Sequence, residues 1–539
     1  MINYFLNYSG RKVYIEIIKS LDEANLAKPS LLYGDPRLDD ELIDLYPNKV
    51  LREKFFLQDF YKINNFQYKD SSIYNFFSSR DYLIYKDQIF KMMDRLDPLG
   101  GWNRIDRESF LNKLIIFWFS KIKQLKPDII IFCDTPHTYE SYSLYVVAKY
   151  LEKPIYLINQ WGIAPCVYGE IVYKKNSKFL PRVKKWTSDK IIKKNLKKYL
   201  NTLSFHFSRK DYRPYYIKTK YLENSFIGKL IYFYMLRVKR YKDGDLSMKR
   251  ILYRTPIFIF SKLIEIIFNF FHIIFDFLFL KFFKLDFNNP FNFSIIMKKK
   301  INKDQRKALQ SSYLKSINIF TTDDLKSNKD KYVFFAMHFE PEASTLPMGE
   351  NFYDQYMAIL ALRKWLPKNI KLFVKEHPSQ MLTVYGPLGR SRYFYDSLNK
   401  ISGIYFVSGS LNSIEVTKHS LFVASITGVI CLEASYLGKK GIYFGKPWYR
   451  GLPNTFKWKQ TLNFSKVLRS KIINKKKVQE FLFDHYTKYA YPAMLNPSTP
   501  NLFPIANDKT YKSYDYFAMR DLMCKILDDS KKYLKNENK

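Results

Sequence analysis

The run VKEHP contains two residues that could bind phosphate, Lys375 and His377. Glu376 lies between them, and Pro378 ends the run. Proline cannot continue a β-ladder, so Pro378 ends the strand and holds the imidazole of His377 in a loop. A histidine and a lysine at the carboxyl end of a strand can bind phosphate oxygens, and Glu376 could orient either of them. The alternative is a histidine that only stabilises a tight turn.

A second strand end carries a Thr-Gly turn. Ser425, Thr427 and Gly428 lie between the apolar run LFVAS and a predicted helix from Val429. Glycine allows close approach of a ligand to the backbone, and the two hydroxyls could donate to phosphate or simply cap the helix. Glu433 lies further along that helix, where a carboxylate could accept both ribose hydroxyls or be merely a polar helix residue. Together the two strand ends predict a nucleotide pocket.

Acid and base groups cluster in the segment HFEPEAS. His338, Glu340 and Glu342 alternate there after a predicted strand from Tyr332. Two carboxylates and an imidazole so close together suit general acid–base catalysis or sugar recognition. The spacing could also hold a metal, but Pro341 stiffens the loop and no further ligand cluster accompanies it. We therefore expect no metal.

A βαβ unit near the N-terminus would supply the opposite wall of such a site. Its elements are a strand at Ile129–Phe132, a helix at Tyr142–Leu151 and a strand at Pro154–Ile158. Asp134 and His137 lie in its first loop, where a base that activates an acceptor hydroxyl is expected.

Strands and helices alternate regularly from Lys331 onward, which predicts an α/β domain with a parallel sheet and right-handed crossovers. With 539 residues, two such domains are expected. We predict an N-terminal domain over 1–325, mostly helical up to residue 125, and a nucleotide-binding domain over 326–510. A C-terminal helix and charged tail follow over 511–539.

The charge balance favours an anionic partner. The chain has 89 Lys and Arg against 50 Asp and Glu, a net charge of +39. Phosphorylated substrates, an anionic membrane or nucleic acid would fit, although a compositional bias of the source would give the same excess. No nucleic-acid-binding module is evident, so nucleic acid is not expected. The four scattered cysteines and the lack of a secretory signal predict a cytoplasmic protein.

A basic and apolar segment, residues 182–300, is predicted to be a helical insertion. Within it, residues 256–283 are strongly apolar, with one narrow polar stripe at helical spacing. Such a helix could lie in a membrane interface, pack between the domains or span the bilayer. We favour the interface, because spanning would place ionisable groups in hydrocarbon and flanking basic clusters would attract anionic lipid.

These motifs together resemble those of the capsule-polysaccharide biosynthesis glycosyltransferases, which include bacterial Kdo-transferases and polysialyltransferase-like enzymes. The matches are VKEHP at 374–378, TGVICLEASYLGKKGIYFGKPWY at 427–449, HFEPEAS at 338–344 and the PDIIIFCDTPH stretch. The resemblance implies a GT-B fold, with two Rossmann-like domains facing across a cleft, and no bound metal or other cofactor. It places nucleotide contacts on His377, Ser425 and Thr427. A CMP-linked donor is plausible by this resemblance, with UDP or GDP possible.

The sequence thus predicts a glycosyltransferase that acts on a bacterial surface polysaccharide or glycolipid at the inner face of the cell membrane. Asp134, His338, Glu340 and Glu342 are its candidate acid–base residues. Two alternatives remain: a teichoic-acid-type polyol-phosphate transferase with a CDP-linked donor, and a non-catalytic scaffold docked on the membrane.

Overall fold

The computed structural model describes most of the chain outside residues 184–304. The described ranges are 1–51, 71–96, 102–162, 166–174, 176–183, 305–319, 321–327, 331–381, 388–493 and 509–537, with a few single residues between 190 and 197. These residues form an α/β structure built on two seven-stranded sheets.

The first sheet is parallel at its centre and antiparallel at one side. Its strands are β1 (Ile2–Tyr8), β2 (Ala27–Gly34), β3 (Ile129–Phe132), β4 (Ile155–Gln160), β5 (Val167–Tyr173), β6 (Asn176–Phe179) and β14 (Ala490–Tyr491). The order is β14-β5-β4-β3-β1-β2, with β6 paired to β5. Strands β1 to β4 run parallel, whereas β5 is antiparallel to β4, β6 and β14.

Helices cover both faces of this sheet. They are α1 (Val13–Glu23), α2 (Asp39–Leu45), α3 (Ser72–Phe77), α4 (Arg80–Leu96), α5 (Arg104–Leu125) and α6 (Tyr139–Tyr150). Successive side chains of a strand point to opposite faces. In β1, Tyr4 and Leu6 therefore pack with α1, while Phe5 packs in the cluster that contains Trp118 of α5.

The second sheet is entirely parallel. Its strands are β7 (Ile317–Ile319), β8 (Tyr332–Ala336), β9 (Lys371–Lys375), β10 (Ile404–Val407), β11 (Phe422–Ser425), β12 (Lys440–Tyr443) and β13 (Thr455–Lys457), in the order β13-β12-β11-β8-β9-β10-β7. Because parallel strands all end at one edge, the loops after β8, β9, β10 and β11 meet there.

The helices that accompany the second sheet are short. They are α7 (Thr322–Ser327), α8 (Gln355–Trp365), α9 (Phe394–Asn399), α10 (Ser413–His419), α11 (Ile430–Tyr436), α12 (Phe464–Arg469) and α13 (Lys475–Tyr489). Residues 305–316 are also helical. Asparagine or aspartate side chains accept a backbone N–H at the start of several of them, at Asp354, Asn412, Asn463 and Asn474.

The C-terminal part of the chain returns to the first sheet. Helix α13 contacts α11, β14 then pairs with β5, and α14 (Lys509–Glu537) packs on α1 and β5. Two further contacts join the sheets: the rings of Trp161 and Trp448 lie 5.0 Å apart, and Arg450 forms an ion pair of 3.2 Å with Glu170.

Most predicted elements are present. The strand at Ile129–Phe132 has the predicted bounds, and β8 begins at Tyr332 as predicted. The prediction that residues 1–125 are mostly helical was wrong for β1 and β2, which form part of the first sheet. The predicted boundaries at 325 and 510 would place β7 in the first sheet and β14 in the second. In the structure β7 belongs to the second sheet and β14 to the first.

The predicted membrane-associating helix at 256–283 lies outside the described residues. Within the ranges that are described, no helix has both the length and the apolar composition needed to cross a bilayer.

Candidate functional site

A cavity of about 760 Å³ opens at the carboxyl edge of the second sheet. Its walls include the loops after β8, β9, β10 and β11, together with Trp448. Gln160 and Gly162, which end β4 and follow it, contribute the part of the wall that belongs to the first sheet. The cavity is large enough for a nucleotide-sized ligand.

His377 lines this cavity and is held in one orientation by the backbone. Its Nδ1 accepts the backbone N–H of Ser379 at 3.2 Å, so the side chain caps the short 3-10 helix Pro378–Gln380. A neutral imidazole that accepts at Nδ1 must carry its proton at Nε2. Nε2 of His377 is therefore a hydrogen-bond donor, which suits a phosphate oxygen.

Lys375 supplies positive charge to the same wall. The residue is 6% exposed, and its Nζ donates to Ser413 Oγ at 2.9 Å at the start of α10. It is the single lysine or arginine among the described residues that line the cavity. The contact with Ser413 holds the ammonium group at the end of β9.

Glu376 lines the cavity too, but its carboxylate is already committed to protein groups. Oε2 accepts Nε of Arg390 at 2.9 Å and the hydroxyl of Tyr395 at 2.6 Å. Oε1 accepts the backbone N–H of His377 at 2.6 Å and Nη2 of Arg390 at 3.1 Å. This carboxylate positions the loop of His377 and is not available to orient a ligand.

Glu340 belongs to the same buried network and does not line the cavity. Its carboxylate pairs with Arg390, whose side chain is 0% exposed. Burial raises the pKa of the Glu340 carboxyl, and the Arg390 guanidinium opposes that rise. Arg390 also donates to the backbone O of His338 at 2.9 Å. Arg390 thus ties together the loops that carry the two histidines.

His338 lines the cavity as a neutral ring. Burial, with Arg390 nearby, lowers its pKa to about 4. Its Nε2 accepts the backbone N–H of Thr427 at 3.0 Å and lies 3.2 Å from Ser425 Oγ. The lone pair of this ring is therefore engaged in holding the Thr-Gly turn, which argues against His338 as a general base.

The hydroxyls of the Thr-Gly turn also serve the fold. Ser425 Oγ donates to the carbonyl of Ala336 at 2.8 Å, and Thr427 Oγ1 donates to the carbonyl of Ser344 at 2.7 Å. Both residues line the cavity with Gly428, so their oxygens can still accept from a ligand. A Cβ at Gly428 would approach Ser425 Oγ to 2.6 Å, which leaves no room for a larger residue.

Glu433 is the cavity carboxylate without a protein partner. It lies in α11, it is partly buried, and no described residue forms a hydrogen bond or ion pair with its side chain. Burial raises its pKa to about 7. An unpaired, desolvated carboxylate at the edge of a nucleotide-sized cavity is available to accept hydroxyl donors from a ligand.

Asp134 lies outside the cavity wall, as does Glu342, whose charge acts on Asp134. Asp134 follows β3 and accepts the backbone N–H of Thr135 at 2.7 Å. Partial burial raises the pKa of Asp134; His137 opposes this rise and the Glu342 carboxylate adds to it. The two carboxylates thus come near one another although they follow strands of different sheets.

Several residues of this site were not predicted from the sequence. No sequence motif marks Arg390, Gln160, Gly162 or Ser413 as functional. Trp448 had one signal: it lies inside the stretch at 427–449 that carries the family resemblance. In the described part of the chain, no three His, Cys, Asp or Glu side chains are grouped as metal ligands.

Comparisons with known proteins give weak likenesses. No family model and no curated protein matches the chain. Among solved structures, Thermosulfurimonas dismutans KpsC, a beta Kdo 2,4 transferase, is 17% identical with a TM-score of 0.22, covering 34% of this chain and 55% of that chain. The chain therefore matches just over half the length of that structure.

Two UDP-GlcNAc 2-epimerases are matched over more of the chain. The Methanocaldococcus jannaschii enzyme is 11% identical with a TM-score of 0.21, covering 89% of this chain and 98% of that chain. The Neisseria meningitidis enzyme bound to UDP-GlcNAc is 10% identical with a TM-score of 0.19, covering 98% of this chain and 100% of that chain. Such TM-scores support no conclusion about function, which must be argued from the cavity.

Proposed function

We propose that the protein is a metal-independent glycosyltransferase that binds a nucleotide-activated sugar in this cavity. The acceptor would be a growing bacterial surface polysaccharide or glycolipid, as the family resemblance implies. The observation that carries the proposal is the unpaired Glu433 carboxylate, which lines the same cavity as Lys375 and His377. A ribose-binding carboxylate and a phosphate-binding pair are what a nucleotide requires.

In this proposal the nucleotide lies along the carboxyl edge of the second sheet. Glu433 accepts the ribose hydroxyls, and its negative charge strengthens those hydrogen bonds. Lys375 and Nε2–H of His377 bind the phosphate. Because Lys375 is the single cation among the described lining residues, the cavity suits one phosphate better than two. That favours a CMP-linked donor over a nucleoside diphosphate sugar.

Catalysis follows from the charge that develops as the glycosidic bond breaks. The electron pair leaves with the nucleotide phosphate, which becomes more negative, while the sugar carbon gains oxocarbenium character. Lys375 and His377 stabilise the departing phosphate more strongly in the transition state than in the ground state, and this difference lowers the barrier. The hydroxyl of the acceptor then attacks the sugar carbon and releases its proton to a base.

Asp134 and Glu342 are the better candidates for that base. The lone pair of His338 and the carboxylate of Glu340 are engaged inside the protein. The pKa of Asp134 is raised, which moves a carboxylate toward the range useful for proton transfer near neutral pH.

Calorimetric titration with CMP, CDP, UDP and GDP tests the donor site. We expect one nucleotide to bind, and His377→Ala to weaken that binding. His419→Ala is the matched control. His419 is an exposed histidine at the C-terminal end of α10, and it does not line the cavity. Equal affinity of wild type and His377→Ala would remove this residue from the site, and no binding of any nucleotide would favour the scaffold alternative.

The reaction itself is tested with the nucleotide-linked donor and a membrane fraction as acceptor. Phosphate in the product would favour polyol-phosphate transfer, whereas a product without it supports sugar transfer. Added EDTA should leave the transfer rate unchanged, and a loss restored by a divalent cation would contradict the metal-free mechanism.

A further inference from the structure

A long stretch of the chain in the second sheet lacks acidic residues. Between Glu433 and Glu480 no aspartate or glutamate occurs, a stretch of 46 residues from Ala434 to Gln479. The part after the edge strand β13, residues 458–477, comprises α12, the loop that follows it and the start of α13. We name residues 458–477 the basic edge.

Six cations of the basic edge are exposed and have no ion pair with any described residue. They are Lys459, Lys466, Arg469, Lys471, Lys476 and Lys477. Two other exposed lysines of the second sheet do have acidic partners: Lys418 pairs with Glu415 and Lys457 with Glu350. The six cations of the basic edge form no such pair with a described residue, which leaves them available to an anionic partner.

Two aliphatic side chains protrude among these cations. Helix α12 buries Val467 at 1% exposure but leaves Leu468 40% exposed, and Ile472 in the following loop is 49% exposed. Lys and Arg residues lie beside both of them in the sequence, at Arg469 and Lys471.

The protruding loop is held firmly by the sheet beneath it. The Asn454 side chain accepts the backbone N–H of Ile473 at 2.7 Å and donates to its carbonyl at 2.8 Å. Nζ of the buried Lys440 donates to the carbonyl of Leu468 at 2.6 Å. The apolar tips are thus presented by a supported backbone.

We propose that the basic edge docks on an anionic membrane surface. Uncompensated cations are attracted to anionic lipid headgroups, and aliphatic side chains between them can enter the boundary of the acyl chains. A soluble polyanion would use the cations but would gain nothing from the exposed Leu468 and Ile472. This surface is separate from the segment at 182–300, and no residue of the basic edge lines the nucleotide cavity. Docking therefore leaves the cavity open to a soluble donor.

The test is co-sedimentation of the full-length protein with vesicles of phosphatidylcholine, with and without phosphatidylglycerol. The charge variant replaces Lys466, Arg469, Lys471 and Lys476 by glutamine. The apolar variant is Leu468→Ser with Ile472→Ser. A matched control replaces four exposed lysines elsewhere, Lys28, Lys307, Lys315 and Lys364, by glutamine, so that the change in net charge is the same.

We expect the wild type and the control to bind the anionic vesicles. The charge variant should bind them at least about tenfold more weakly, given the attraction contributed by each cation. The apolar variant should also bind more weakly. Undiminished binding of the charge variant would overturn the proposal, as would equal binding of the wild type to neutral and anionic vesicles.

Two further measurements complete the test. If the charge variant lost binding to heparin but kept its vesicle binding, the basic edge would be a polyanion site and the membrane proposal would be wrong. Nucleotide titration of the same variant should match the wild type, because the basic edge is remote from the cavity. Failure of the donor-site proposal would therefore appear separately, in the wild-type titration.

Discussion

Two carboxylates near the cavity, one buried and one partly buried, have different roles because their partners differ. Glu340 pairs with Arg390 inside the protein, whereas Glu433 meets no cation among the described residues and lines the cavity. A desolvated carboxylate without a partner costs folding free energy, and this cost is the reason for proposing that a ligand hydrogen-bonds to Glu433.

Replacing Glu433 by glutamine should therefore stabilise the free protein while weakening nucleotide binding. The folded-state pKa of about 7 exceeds the ordinary value of 4.5, so the folded state loses stability as the pH rises through this window. Glu433→Gln should raise Tm at about pH 8, above that folded-state pKa, and reduce affinity about 10- to 100-fold, the effect of losing a charged acceptor.

Differential scanning calorimetry and nucleotide titration measure the two effects. The exposed Glu480→Gln is the control and should change neither. Affinity for the nucleotide should rise with pH through about 7 more steeply in the wild type than in Glu433→Gln. A variant with lower Tm and unchanged affinity would show that Glu433 serves the fold.

Arg390 is a positioning residue whose loss leaves two buried carboxylates without a cation. Arg390→Ala should destabilise the protein by about 3–5 kcal/mol, as measured for broken buried ion pairs. Denaturant unfolding measures this loss. Adding Glu340→Gln and Glu376→Gln should recover much of the stability because it removes the stranded charges.

Nucleotide affinity separates positioning from stability in this series. The triple variant should bind nucleotide more weakly than the wild type, since the Arg390 contacts to the His338 and His377 loops are lost and the Gln380–Glu340 hydrogen bonds alone do not replace them. Wild-type affinity in the triple variant would show that Arg390 contributes only to stability.

At the scale of elements, the loop after β9 combines a cap with a ligand group. His377 caps the helix Pro378–Gln380 through Nδ1, lines the cavity and carries its proton at Nε2. Asparagine can replace the capping acceptor, as Asn412 and Asn463 do in α10 and α12, but it has no group at the Nε2 position.

His377→Asn should therefore keep the stability of the wild type within about 0.5 kcal/mol, whereas His377→Ala should lose about 1 kcal/mol with the cap. Both variants should lose nucleotide affinity to a similar extent. If His377→Asn restored the affinity, the contribution of His377 would lie in the cap and not in phosphate binding. Chemical denaturation and calorimetric titration give the two numbers.

At the scale of the whole molecule, the cavity depends on close contact between the two sheets. Gly162 follows the last strand residue of β4, and a Cβ there would lie 2.1 Å from Nε1 of Trp448. Trp448 in turn packs on Trp161, whose Nε1 donates to Nδ1 of His485 at 3.3 Å. This aromatic group joins the first sheet to the cavity wall.

Gly162→Ala should push Trp448 away and alter the cavity, lowering nucleotide affinity and the thermal stability together. Adding Trp448→Phe removes the Nε1 atom that the new methyl group would meet, so the double variant should recover part of both. Titration and thermal unfolding of the single and double variants measure this. Unchanged affinity in Gly162→Ala would mean that the nucleotide does not depend on the contact between the sheets.

Local sequence was sufficient for the strand–loop–helix units that carry His377, Thr427 and Glu433. A continuous apolar run, a proline that ends β9 and a glycine that opens the turn before α11 all act within a few residues, so they can be recognised without a fold. Strands β1 and β2 escaped prediction because polar residues and Pro29 interrupt their apolar runs, INYFLNY and AKPSLLYG.

The sequence by itself therefore determined the α/β class, the order of the strands after Lys331 along the chain and the residue types at their ends. Only the tertiary structure decided which of those side chains face the cavity. It placed Glu340 and Glu376 on Arg390, engaged His338 with the Thr427 backbone and left Glu433 without a partner among the described residues. The physical reason is that these partners are separated by 14 to 89 residues, so their pairing follows from strand order and packing and not from local spacing.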